Sequence, residues 1–164
     1  MKTLTLIRHA KSDWSVEWQS DFDRWLAERW EKQIKEMWKK MKKLELDFDL
    51  IICSNAKRTI LTLEWLTKIH KDLKKVSTIY MNEIYALCET NGDGVIEIIK
   101  KQNKKVKSLA IVWHNLLFDK LVKRFTNTAL SVPTLWIVEI IFEIDSWEEI
   151  TKEWKMTMFL APEK

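Results

Sequence analysis

The sequence predicts a three-layer α/β/α sandwich with a mostly parallel central sheet. Three observations carry that expectation. Short β-branched or aliphatic runs alternate with stretches of helical periodicity, the pattern of sheets covered by helices on both faces. The early runs, "TLTLIRH", "DLIICS" and "SLAIVW", are apolar almost throughout, as strands buried on both faces must be. No repeat, low-complexity tract or long linker divides the 164 residues, so one domain over 1–164 is expected.

The elements follow in order. "TLTLIRH" reads as the first strand. From Leu26 to Leu44 a helix is expected, with Leu26, Trp30, Ile34, Met37, Trp38 and Met41 on one face and Lys32, Lys35, Lys39 and Lys42 opposite. "DLIICS" is a second strand, bounded by Asp49 and Ser54. A helix over 56–73 is marked by Ile60, Leu63, Leu66, Ile69 and Leu73. "STIYMNEI" reads as a weaker strand, "TNGDG" as a glycine turn and "VIEIIKKQ" as a short helix. "SLAIVW" and a helical "LLFDKLVKRF" come next. After Pro133, "TLWIVEIIFEI" and "KMTMFLA" close the chain as strands, the last antiparallel to its neighbour.

Composition narrows the function classes. Lys and Arg number 28 against 24 Asp and Glu, a net charge of +4, and much of the excess is lysine in "KKMKK", "KDLKK" and "KKQNKKVK". Such runs read as solvated helix faces and ends. No RNA-binding aromatic motif or zinc finger accompanies them, so no nucleic-acid partner is expected. Cys53 and Cys88 are too few and too far apart for a zinc site or a C-x-x-C pair. No stretch approaches a membrane span, and the short apolar start lacks a secretory h-region. The expectation is a cytoplasmic protein with no membrane partner, no metal and no cofactor.

Ligands of open α/β sheets bind beyond the carboxyl ends of the strands. Arg8 and His9 end the first strand. Ser54 follows the second, with Arg58 four residues on in the first turn of a helix. His114 and Asn115 end the third. Two arginines and two of the three histidines therefore share one edge of the sheet. Guanidinium forks match phosphate oxygens bidentately, a neutral imidazole can attack phosphorus, and a second can donate where charge accumulates. The remaining histidine, His70, lies in lysine-rich "KIHKDLKK" and reads as solvated.

"LIRHA", "SNAKRTILT" and "WHN" together resemble the histidine phosphatase superfamily, whose first motif is commonly R-H-G. With "RHAKSDW" and the short length, the chain is most similar to its small SixA-type phosphohistidine phosphatase branch. The resemblance runs almost end to end, through "DFDRWLAERW" and the closing aromatic strand. It implies a phosphatase without a metal, and assigns His9 as phosphate-accepting nucleophile beside Arg8. Arg58 matches the second phosphate-binding arginine, His114 the second histidine, and Ser12 a substrate-contacting serine of related mutases. The implied substrate is a phosphorylated protein, such as a phosphohistidine domain, or a small phosphorylated metabolite. Glu83 is the nearest counterpart of the acid that protonates the leaving group in longer relatives, and a solvated glutamate is its alternative. Asp13 is a weaker candidate acid. Lys11 extends the positive field or faces water, and Arg24 touches substrate or pairs with Asp21 or Asp23. A phosphoglycerate mutase reading fits less well, because little room between Ser54 and Ser108 is left for a substrate-covering insertion.

Glycine occurs twice and tryptophan ten times. Trp30 and Trp113 stand where relatives usually have glycine, Trp25 and Leu116 where they have proline, and Trp38, Trp136 and Trp154 also look like glycine positions. A UGA codon read as glycine in the source would account for several of these and not for Trp25 or Trp65. An indole at 113 beside His114 also raises the alternative of an inactive phosphate- or phosphoprotein-binding module with an obstructed pocket.

Overall fold

The computed structural model describes residues 1–28, 30–43, 47–87, 92–127, 129, 133–150 and 156–160. Six strands form one sheet: β1 (Lys2–Arg8), β2 (Leu50–Ser54), β3 (Ser77–Met81), β4 (Ser108–Trp113), β5 (Ile137–Phe142) and β6 (Met156–Leu160). Their order is β3-β2-β4-β1-β5-β6. β1 pairs in parallel with β4, β4 with β2, and β2 with β3. β5 is antiparallel to β1, and β6 antiparallel to β5 as expected.

The helices are α1 (Trp30–Lys43), α2 (Lys57–Ile69), α3 (Asn82–Ala86), α4 (Asp93–Lys100) and α5 (Asn115–Thr126). Alternation along β4 sorts the core into two layers. Leu109, Ile111 and Trp113 point to one face, where Val95, Ile96 and Ile99 of α4 and Leu117, Phe118, Leu121 and Val122 of α5 cover them. Ala110 and Val112 point to the other, under Ile34, Met37, Trp38 and Met41 of α1 and Leu63 and Leu66 of α2. The predicted three-layer sandwich is the observed one.

Boundaries differ from expectation in three places. α1 begins at Trp30, because Leu26 is used in a β-bridge to Ser12 rather than in a first helical turn. α2 ends at Ile69, where His70 turns extended (φ −117°, ψ 101°) and a 3₁₀ turn, Lys71–Lys75, replaces the last predicted turn. The strand expected through "STIYMNEI" stops at Met81, and Asn82 to Ala86 are helical, so Glu83 lies on α3. Its apolar spacing, Met81–Ile84–Tyr85, suits a short helix as well as a strand. His70 is also not a solvated side chain. Its ring packs on Trp38 with centroids 3.9 Å apart, and Nε2 is 3.9 Å from Asp72.

Scarce glycine is spent where side chains do not fit. Gly92 caps α4 at φ +94°, and a Cβ on Gly94 would lie 2.5 Å from the Leu87 side chain. Elsewhere Asn127 and Leu135 take left-handed backbone at φ 52° and 59°. For leucine that conformation costs about 1–2 kcal/mol. It is held by burial of Leu135 and by its N–H donating to the His9 carbonyl at 3.0 Å.

Candidate active site

Three adjacent parallel strands, β2, β4 and β1, end at the same edge and deliver Ser54, His114 and His9 side by side. Arg58 arrives from the first turn of α2, and His114 is the N-cap of α5. Both helices begin at this edge, so the positive ends of their dipoles face the same place. His9, His114, Arg58 and Ser54 are all buried, and Arg8 is half-buried.

The hydrogen bonds fix the protonation of both imidazoles. His9 Nδ1 lies 2.7 Å from the Ala10 carbonyl, which can only accept, so Nδ1 carries the proton and Nε2 the lone pair. That lone pair meets Arg58 Nε–H at 3.3 Å. His114 Nδ1 lies 2.9 Å from Arg58 Nη2, which can only donate, so this nitrogen accepts. His114 Nε2 then carries the proton and donates to Ser54 Oγ at 2.9 Å. The ring centroids are 5.4 Å apart.

Electrostatics keep both rings neutral. Burial, with the Arg58 and Arg8 charges adding to it, pushes His9 down to about 3 against a bond to the Ala10 carbonyl that works the other way. Burial and the charges of Arg58, His9 and Arg8 take His114 down to about 2. Burial also lowers Arg8 from its ordinary value, partly offset by Asp119.

Arg58 is held from behind by Asp21. Its Nη2 donates to Asp21 Oδ2 at 2.8 Å, and Nη1 donates to the Asp21 carbonyl. Tyr85 donates its hydroxyl to the same carboxylate oxygen at 3.0 Å, and its ring stands edge-on to His114 at 5.4 Å. Thr62 of α2 accepts the Ala10 N–H at 3.0 Å and so ties the loop after β1 to the helix carrying Arg58.

The structure thus brings together Arg8, His9, Arg58 and His114. Ser12 is buried nearby through its backbone bridge to Leu26. Arg24 takes the pairing alternative: its Nε is 3.7 Å from Asp21 Oδ1, Nη1 reaches the Asp13 carbonyl at 3.4 Å, and its guanidinium lies 3.9 Å over Trp14. Lys11 is exposed. Glu83 is exposed on α3 and is not joined to the imidazole network, and Asp13 is bonded to the Ser15 N–H. Asn115 opens α5, but its side chain, like that of Leu116, lies outside the described residues, as does Trp154. Among the described residues no three His, Cys, Asp or Glu are grouped to hold a metal ion, and no helix is long and apolar enough to cross a membrane.

Sequence reasoning missed Ser54, Asp21 and Tyr85 as members of the site. Ser54 had a legible signal, since it ends a strand of the same edge census. Asp21 and Tyr85 reach the site only through tertiary packing. Trp113, suspected of filling the pocket, turns its indole into the α4/α5 layer, where it is fully buried and donates to the Ile84 carbonyl at 2.9 Å.

Solved structures share this fold. A protein from Agrobacterium tumefaciens assigned as the phosphohistidine phosphatase SixA superposes with a TM-score of 0.81 at 22% identity, over 98% of each chain. A protein histidine phosphatase SixA bound to tungstate gives 0.74 at 17% identity, over 98% of this chain and 97% of that one. Phosphoserine phosphatase from Entamoeba histolytica, with 3-phosphoglyceric acid, gives 0.66 at 14% over 98% of each. These likenesses show a common fold. No curated protein sequence matches significantly. Residues 4–86, half the chain, match the model of the histidine phosphatase superfamily, branch 1. That stretch holds β1, β2 and the start of α2, the segments that supply Arg8, His9 and Arg58, and on that match the chain belongs to the histidine phosphatase superfamily.

Proposed function

We propose that the chain is a cytoplasmic, metal-independent phosphatase acting as one domain over 1–164 through a phospho-His9 intermediate. Its substrate is a phosphohistidine on a partner protein or a small phosphomonoester. One observation supports this most: a single guanidinium, Arg58, touches both Nε2 of His9 and Nδ1 of His114 beside Arg8.

In the first step Arg58 and Arg8 take the phosphoryl oxygens, which frees the His9 Nε2 lone pair. Nε2 attacks phosphorus as the bond to the leaving group breaks and its electron pair departs with that group. Nδ1–H, bonded to the Ala10 carbonyl, supports the positive ring that results. In the second step water attacks phosphorus, the P–N bond breaks, the pair returns to Nε2 and a proton of the water passes to a phosphate oxygen. The two arginines stabilise charge on the oxygens in both steps, and His114 meets the phosphoryl group beside them. Ser12 and Lys11 lie on the approach in this reading, and Arg24 acts from behind through Asp21.

Protonation of the leaving group favours one substrate class. An alkoxide needs an acid, and Glu83 stands exposed and outside the network. An imidazole leaves more easily, so phosphohistidine fits this site better than an alkyl phosphate. Turnover of p-nitrophenyl phosphate and of a phosphohistidine-bearing domain, without added metal, tests the proposal. Both activities should vanish in His9→Ala, and Glu83→Gln should leave phosphohistidine turnover intact. Phosphate binding without any turnover would instead favour the inactive binding module.

A further inference from the structure

We propose that Ser54 is a positioning residue that holds His114 as its Nε2–H tautomer and thereby selects Nδ1 as the nitrogen that meets the phosphoryl group. The second half of this statement rests on the phosphatase reading; the first stands on the geometry alone.

A neutral imidazole carries one N–H, and the hydrogen bond made by one ring nitrogen decides the role of the other. Arg58 has no lone pair to offer, so its contact of 2.9 Å with Nδ1 requires that nitrogen to accept. The proton is therefore on Nε2, and Ser54 Oγ, 2.9 Å away, must be its acceptor. Ser54 is well placed for this. It is fully buried, and it ends β2, whose Cys53 pairs in register with Val112 two residues before His114. Its own orientation is fixed. Thr59 Oγ1 donates to the Ser54 carbonyl at 2.7 Å, and the Ala56 N–H reaches Oγ at 3.4 Å.

The consequence for the reaction follows from what phosphate does to Arg58. When the guanidinium turns to a phosphoryl oxygen, Nδ1 loses its donor while Nε2 remains bound to Ser54. Nδ1 then faces the phosphoryl group as an acceptor for a phosphoryl O–H. The neutral ring stays anchored through Nε2. Without Oγ the buried Nε2–H has no partner, and the ring can exchange tautomer or rotate.

The test is the nitrogen-15 NMR signature of the His114 ring in the full chain, assigned with His114→Asn, together with titration by inorganic phosphate. The wild type should show the Nε2–H tautomer. In the phosphate complex, where Arg58 no longer donates to Nδ1, Ser54→Ala should show a mixture or the Nδ1–H form and bind phosphate about tenfold more weakly, the cost of one unpartnered buried donor. Ser54→Thr, which keeps an oxygen at the same position, should retain both signature and affinity. A wild-type Nδ1–H tautomer overturns the proposal without any variant, so a poorly folding Ser54→Ala does not shield it. An unchanged ring signature in the phosphate complex, or unchanged phosphate affinity, in a folded Ser54→Ala overturns it too. Turnover that survives in His9→Ala would sink the phosphatase reading while leaving the tautomer assignment standing, so the two failures are distinguishable.

Discussion

Arg58 Nε–H points at the Nε2 lone pair of His9 across 3.3 Å. In the proposed mechanism the atom that attacks phosphorus is therefore bonded to the group that binds the phosphate. Substrate can trade places with the nucleophile on one guanidinium, so binding and activation become a single event. Arg58→Lys keeps a charge and loses the fork that spans both rings. It is expected to lower kcat/KM by about 10²-fold or more, the scale of losing a preorganised transition-state donor. Steady-state kinetics of the two proteins checks this.

Asp21 belongs to the same device. Its carboxylate accepts from Arg58 and Tyr85, and its backbone carbonyl accepts from Arg58 as well. Asp21→Asn leaves the carbonyl contact and weakens the charged one. A drop in kcat/KM of about tenfold is expected, the worth of one hydrogen bond to a charged group. Tyr85→Phe removes one neutral donor and should cost less. A larger loss in Tyr85→Phe than in Asp21→Asn would contradict this ordering.

Acid should unfold the protein through its two buried, neutral histidines, His9 and His114. His9 and His114 titrate near 6.5 when unfolded and are pushed to about 3 and about 2 when folded. Between those values the unfolded chain binds more protons than the native one, so stability rises with pH across that window. Stability from these rings is present above about pH 6.5 and is lost as pH falls toward 3. Melting temperature followed from pH 7 to pH 4 should decline less steeply in His114→Asn than in the wild type. Parallel slopes would show that other groups drive acid unfolding.

Trp113 is structural. Its indole fills the α4/α5 layer and satisfies its N–H on Ile84. Trp113→Gly should destabilise by roughly 3–5 kcal/mol or more, as for other large-to-small core changes. Urea denaturation measures it. Peptide sequencing of the native protein reads positions 30 and 113 directly. This packing, with Trp30 edge-on to Trp65 at 4.6 Å, predicts tryptophan at both, and glycine would mean that the codon is decoded otherwise.

Much of this was legible along the chain because strand ends are legible. "TLTLIRH", "LIICS" and "SLAIVW" are bounded by polarity changes, and those changes alone put Arg8, His9 and His114 on one edge. Arg58 followed from helical spacing after β2. What period and polarity do not encode is where a loop returns. Asp21 lies 37 residues before Arg58 and Tyr85 64 residues after Asp21, and tertiary contacts bring them together: Phe22 packs edge-on against Tyr85 and its carbonyl accepts the Lys57 N–H at 2.9 Å. "STIYMNEI" misled because short apolar runs satisfy strand and helix periods alike, and that error placed Glu83 at a strand end. Trp113 misled because motif comparison locates a residue in sequence without saying toward which face of β4 its side chain turns.

The most direct test is to trap the phosphoenzyme. Rapid acid-free quenching after mixing with a labelled phosphohistidine domain, followed by peptide mapping, should place an acid-labile phosphoryl group on His9 in the wild type and none in His9→Ala. Label on another residue, or hydrolysis that continues undiminished in His9→Ala, would contradict the account.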